Sequence, residues 1–159
     1  MIDDTAVTSW VERYQKPLFG FVMSLSSAGR ERAFQTTVSS FAGVLRSFSS
    51  APRDDDFRRA LFRTAVAECR ALPAPAAPDF SGDGSLPAQV RSGMRLLKQA
   101  VFSLSFDNKC LLLLRDGQHL AYEDMAAILQ RPVKEIKLNV LSAREMLQVN
   151  MTKLLRGGP

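Results

Sequence analysis

Apolar residues recur at three- and four-residue spacings along most of the chain, and clusters of Pro, Gly, Ser and Asp divide them into seven predicted helices. The first runs from about Ala6 to Leu25, with Trp10, Tyr14, Leu18, Phe21, Val22 and Leu25 on one stripe. Asp3, Asp4 and Thr5 are capping-type residues ahead of it, and Pro17 is expected to kink it. Ser26 to Gly29 forms a turn. A second helix, 30–47, aligns Phe34, Val38, Phe41, Leu45 and Phe48 as its inward face. Asp54, Asp55 and Asp56 are expected to cap a third, about 56–72, with Phe57, Leu61, Phe62, Ala65, Val66 and Cys69 apolar.

Residues 73–86, PAPAAPDFSGDGSL, have too little apolar surface to order themselves and read as a linker. Phe80 is the large apolar residue in it. A fourth helix follows from Pro87 to about Leu104, and its apolar side (Val90, Met94, Leu97, Val101, Phe102) is expected to pack on the helices after it. Then come a helix over Phe106–Arg115, a break at Gly117–His119, and a helix over Tyr122–Leu129 opened by Glu123 and Asp124. Gln130 and Arg131 make a turn, and Pro132 is expected at the first position of the last helix. That helix is amphipathic, with Val133, Ile136, Val140, Ala143 and Leu147 on one face and Lys134, Glu135, Lys137, Asn139 and Arg144 mostly elsewhere.

The expected fold class is all-α. A three-helix domain over 1–72 and a four-helix domain over 87–156 flank the linker 73–86. A short helix, a tight turn and an amphipathic helix with a polar outer face is the pattern of a helix-turn-helix, whose second helix can enter a DNA major groove. A structural helical hairpin shares that pattern, so spacing alone leaves both open.

The residues themselves go further. LLLLRDGQHLAYEDMAAILQRPVKEIKLNVLSAREML resembles region 4 of the extracytoplasmic-function sigma factors of the sigma-70 family. Leu113-Leu114-Arg115-Asp116, Leu120 to Ala126, Pro132-Val133, Ile136-Lys137 and Ala143 to Leu147 match that pattern without a gap. RYQKPLFGFVMSL similarly resembles the opening helix of region 2. The resemblance implies core RNA polymerase and promoter DNA as partners, with an anti-sigma factor as a further one. It assigns DNA contacts to Arg131, Lys134, Glu135, Lys137, Asn139 and Arg144. Arg58, Arg59 and Arg63 become candidate contacts with polymerase or promoter.

Region 2 departs from the family. The acidic segment of its second helix, which binds the polymerase clamp, is replaced by Gln35, Thr36, Val38 and Ser39. In the third helix a Trp is Ala60 and an Arg-Asn pair is Val66-Ala67. In the last helix the usual Ser-Arg is Leu138-Asn139 and the usual His-Arg is Leu141-Ser142. These departures leave a second reading open: a sigma mimic that acts by protein–protein contact without opening a promoter.

Charge supports the division of labour. Residues 1–72 carry 10 Lys and Arg against 8 Asp and Glu, whereas residues 87–159 carry 11 against 6, so the basic excess lies with the helix-turn-helix half. No apolar run approaches the roughly 20 residues of a membrane span, and the N-terminus is acidic where a secretion signal would be basic. Cys69 and Cys110 read as buried free thiols, which fits a reducing cytoplasm. No metal, cofactor or catalysis is expected. His119 is the sole histidine and falls in a turn, so it reads as a turn or phosphate-proximal residue, and two isolated cysteines do not make a zinc site.

Overall fold

The computed structural model describes residues 2–73 and 84–157, and every regular element among them is helical. In chain order these are α1 (Asp4–Ser26), α2 (Arg30–Ser47), α3 (Asp54–Ala71), α4 (Ala88–Phe102) and α5 (Phe106–Leu112). A π-helical turn (Leu113–Gly117), α6 (Tyr122–Leu129) and α7 (Val133–Leu155) follow. Most of the linker segment, with Phe80, lies outside the described residues, as do Gly158 and Pro159.

Helices α1 and α3 supply most of the N-terminal core, and they do so with the stripes the pattern predicts. Trp10 stacks on Phe57 with centroids 4.2 Å apart and planes 10° from parallel. Phe21 meets Phe62 edge-on at 5.2 Å. Helix α1 continues through Pro17, which is exposed. It ends at Ser27, whose left-handed backbone turns its N–H onto the Met23 carbonyl.

The three aspartates differ from expectation. Arg53 holds the capping position of α3, and Asp54, Asp55 and Asp56 occupy its first turn, where the helix dipole favours negative charge. Each is also paired: Asp55 with Arg58, Asp56 with Arg59, and Asp54 with Arg13 at 2.9 Å. Asp54 further accepts from the Tyr14 hydroxyl at 2.7 Å. Burial, reinforced by Asp54, pushes the Tyr14 phenol up to about 12.

Helix α2 corrects the sequence expectation. Its inward face is Ala33, Thr36, Thr37, Ser40, Phe41 and Val44, while Phe34 and Val38 are 59% and 51% exposed. The helix is therefore rotated from its most apolar stripe towards its small-residue stripe. On the side facing α3 the contacts are made by small residues: Ser40 reaches Glu68, and a Cβ added at Gly43 would stand at ordinary contact distance, 3.7 Å, from the Thr64 methyl. The buried hydroxyls cost little because they are bonded. Thr37 donates to the Ala33 carbonyl at 2.8 Å, and Ser40 to Glu68 Oε2 at 3.2 Å, beside a Ser39–Glu68 bond.

Helix α4 is a second correction. It packs on α7, but only Ala100 is fully enclosed, and Val90, Met94 and Leu97 stay exposed. The four apolar residues Leu111–Leu114 divide between two cores. Leu111 and Leu114 join the main core, and Leu112 joins a smaller cluster with Leu104 and Ala143. The expected α-helix to Arg115 ends at Leu112 instead, and Gln118 N–H bonds the Leu113 carbonyl five residues back at 2.9 Å.

The main core does not stop at the junction of the two halves. Residues of α1 and α3 share one cluster with Cys110, Leu111, Leu114, Leu120, Met125, Ile128, Ile136 and Val140. Burial pushes the thiols of Cys69 and Cys110 up to about 12, so both are neutral at ordinary pH. It also lowers Lys109, which is enclosed on α5 with its ammonium over the Phe102 ring.

Candidate nucleic-acid interface

The pair α6–α7 is built around a three-residue turn. Gln130 takes the left-handed conformation that ends α6, with its N–H on the Ala126 carbonyl. The Arg131 N–H shares that acceptor at 3.1 Å. Pro132 stands one position earlier than expected, as the cap residue of α7, and its carbonyl accepts from Ile136 N–H at 3.0 Å. Proline thereby fixes the extended backbone that separates the two helices without deleting a helical hydrogen bond.

Three residues seat α7 on the fold. Ile136, Val140 and Ala143 are fully buried, against α5 and α6. That anchoring turns the early positions outward, so Lys134, Glu135 and Lys137 are exposed over the first turn and a half. Lys137 also leans over Tyr122, with Nζ 5.6 Å from the ring centre, and the Arg115 guanidinium sits at 4.2 Å from the same ring. Asn139 is half-buried, and Leu138 and Leu141 are exposed, as their register on the helix predicts.

The two flanking arginines are held differently. Arg131 lies 3.7 Å from Asp107 and 3.8 Å from Glu135, loose contacts that leave its charge available. Arg144 is gripped by both oxygens of Asp116, with Nε at 3.1 Å, and this carboxylate holds the guanidinium further up in its pKa than usual. Arg131, Lys134 and Lys137 therefore form a short cationic edge at the start of α7, and Arg144 lies two turns on. The exposed start of α7 thus carries hydrogen-bond donors, one acceptor, Glu135, and flanking cations, the chemistry that groove recognition requires.

Arg58, Arg59 and Arg63 are not at this edge. They project from α3 onto α6 of the same chain. Arg58 and Arg59 both bond Asp124, at 2.8 and 2.6 Å, and Arg63 donates to the Ala127 carbonyl at 2.6 Å. Sequence reasoning misses Asp124 as a charge partner, and it misses the Arg70–Asp107 pair at 2.7 Å. A signal for Asp124 exists: it precedes Met125 and lies four residues before Ile128, which puts a carboxylate beside the buried face of α6. Among the described residues no cluster of His, Cys, Asp and Glu could hold a metal ion, and no helix is long and apolar enough to cross a membrane.

No protein-family model matches the chain. It is 27% identical to the RNA polymerase sigma-H factor of Pseudomonas aeruginosa over 175 aligned positions, which cover 97% of this chain and 90% of that protein. Its fold matches the sigma factor RpoE of Bartonella quintana, solved in complex with the anti-sigma factor NepR. The TM-score is 0.64 at 22% identity, covering 91% of this chain and 96% of that one. The ungapped region 4 motifs, the similarity to a sigma factor over nearly the whole chain and the shared helical fold point the same way: in sequence and fold this chain is similar to sigma factors.

Proposed function

We propose that the chain is an RNA polymerase sigma factor that directs transcription initiation in the cytoplasm by binding core polymerase and promoter DNA. It acts by binding rather than catalysis. The observation that carries this reading is the seating of α7: a buried Ile136–Val140–Ala143 back presents Lys134, Glu135 and Lys137 outward from its first turns. In this reading Glu135 accepts from a cytosine amino group, Lys134 and Lys137 reach guanine edges or phosphate, and Asn139 contributes a further polar contact. Arg131 and Arg144 serve the phosphates. Residues 1–72 act as the region 2 domain, residues 87–156 as the region 4 domain, and residues 73–86 join them. Arg58, Arg59 and Arg63 are the region 2 cations for polymerase or promoter. An anti-sigma factor, like the one bound to the Bartonella quintana relative, is a fitting regulator.

The sigma-mimic reading draws on α2, where Gln35, Thr36, Val38 and Ser39 replace the acidic segment that the resemblance implies and the apolar Phe34 and Val38 are exposed. It leaves the cationic edge of α7 without a role and ranks second. The test is capture of the purified protein on core RNA polymerase followed by run-off transcription from its own upstream region. A specific transcript supports the sigma reading. Absence of core binding overturns it.

A further inference from the structure

Tyr122 is the first residue of α6, and its ring is partly buried against the main core. Two cations from two other elements meet it. Arg115, on the π-helical turn, donates to the Leu120 carbonyl at 2.6 Å and lays its guanidinium 4.2 Å from the ring centre. Lys137, on the exposed start of α7, brings Nζ to 5.6 Å from the same centre. The backbone beneath Lys137 is fixed, since its neighbour Ile136 is fully buried.

The ring is the firm partner in this group and the lysine the adjustable one. A free lysine gives up the freedom of its long flexible stem whenever it binds, whereas an ammonium already parked over a ring has surrendered part of that freedom in advance. The ring face does not use up the three donors of an ammonium, so the group stays able to bind. Two cations sharing one ring repel each other, which favours the rim position that Lys137 takes. Lys134 supplies the contrast: it is exposed on the same helix, with no ring beneath it and no ion pair among the described residues.

We propose that Tyr122 is a positioning residue for DNA recognition: its ring, pinned by Arg115, holds the Lys137 ammonium at the outer side of α7 and aims it at an acceptor on the duplex before binding. The DNA contact rests on the sigma reading, whereas the pairing in the free chain does not. Lys137 then binds as a pre-organised donor and Lys134 as a mobile one, so two lysines of one helix differ in what they lose on contact.

Two readouts on the full chain test this. In the free protein the ring current of Tyr122 should move the Lys137 ε-methylene proton resonances upfield. Tyr122→Leu should abolish that shift, and Tyr122→Phe, which keeps a ring, should retain it. On duplex DNA from the chain's own upstream region, followed by fluorescence anisotropy, Tyr122→Leu should weaken binding about two- to fivefold, the range of an exposed cation–π contact, and Tyr122→Phe should restore most of the affinity. In a Lys137→Ala background Tyr122→Leu should have no further effect, whereas in a Lys134→Ala background it should keep its full effect. A purely structural role for Tyr122 gives the same loss in both backgrounds, and that result overturns the proposal. Arg115→Met removes the pin and leaves α6 and α7 unaltered in sequence. It carries the test if circular dichroism shows Tyr122→Leu to be unfolded, and it should shrink the Lys137 shift and weaken binding in the same direction. Unshifted Lys137 resonances in the wild type overturn the pairing. Failure of the wild type to bind the duplex overturns the DNA contact instead, while the resonances still judge the pairing.

Discussion

Phe57 is the residue on which the N-terminal half turns, and replacing it tests that claim quantitatively. Its ring is fully buried, stacked on Trp10 and within 6.2 Å, centre to centre, of both Tyr14 and Phe41. Truncation to alanine removes the transfer free energy of a phenyl group and leaves a cavity that three large rings cannot collapse into, about 3–5 kcal/mol. The loss of stacking places the value at the upper end of that range, since a well-placed aromatic pair adds about 0.5–1.5 kcal/mol beyond burial. A domain of this kind has about 5–15 kcal/mol in total, so Phe57→Ala should consume a large share of it. Phe57→Leu keeps most of the volume and should cost about 1–2 kcal/mol. Urea unfolding followed by circular dichroism gives both values. Trp10, the sole tryptophan, adds a local probe because its fluorescence reports the stacked neighbour directly. A loss under about 1 kcal/mol for Phe57→Ala would refute the packing argument. So would an unshifted tryptophan spectrum. Because Arg58 and Arg59 follow directly, the alanine variant should also loosen the seam to α6.

Three further outcomes follow from the geometry. Lys134→Ala and Lys137→Ala should weaken binding to duplex promoter DNA and flatten its salt dependence by about one counterion for each phosphate no longer neutralised, as read by fluorescence anisotropy across a salt series. An unchanged slope would remove these lysines from the backbone contacts. Tyr14 should stay protonated past its ordinary range and titrate near 12 when followed by phenolate absorbance. The sign is fixed by the raised folded value: the stabilising effect of neutral Tyr14 is complete below about 10 and disappears as pH climbs through 12. Tyr14→Phe should abolish that high-pH component, at a cost near ~1 kcal/mol for the Asp54 bond. Asp107 is held below the usual carboxylate range, chiefly by its hydrogen bond to Arg70. Its contribution is present above the ordinary carboxylate pKa and is lost as pH falls through the folded value. Arg70→Ala should return the Asp107 resonance towards ordinary titration, and no movement would sever that pair.

The sequence is most legible where periodicity, turn chemistry and capping coincide. The end of α6 and the start of α7 fall within one residue of where Leu129, Gln130 and Pro132 indicate, because a left-handed residue and a proline leave the backbone little choice. The stripes of α1 and α3 are legible for a different reason: large aromatic residues at helical spacing have nowhere else to go. Helix α2 misleads because a periodic reading ranks hydrophobicity above size. Its buried side is chosen for fit against α3, and satisfied hydroxyls sit there as readily as methyl groups. The exposed side of α4 misleads for want of a partner, since a periodic apolar stripe says that a face can be buried and not that it is. At the candidate interface, the outward set on α7 follows from the period alone. The pairing of Asp124 with Arg58 and Arg59 does not, because 66 and 65 residues separate the partners and no local rule links them.

The small-residue side of α2 has a consequence for how this protein can change over generations. Where Ser40 and Gly43 meet α3, the limiting quantity is the space between the two helices. Exchange among Ala, Ser, Thr and Gly preserves that distance even when polarity swings widely, whereas a single Leu would wedge the helices apart. Drift along this seam is therefore free in chemistry and confined in size. Phe41 and Val44 anchor the same face by burial, so on this helix the apolar anchors must keep their character while the small positions between them need keep only their size.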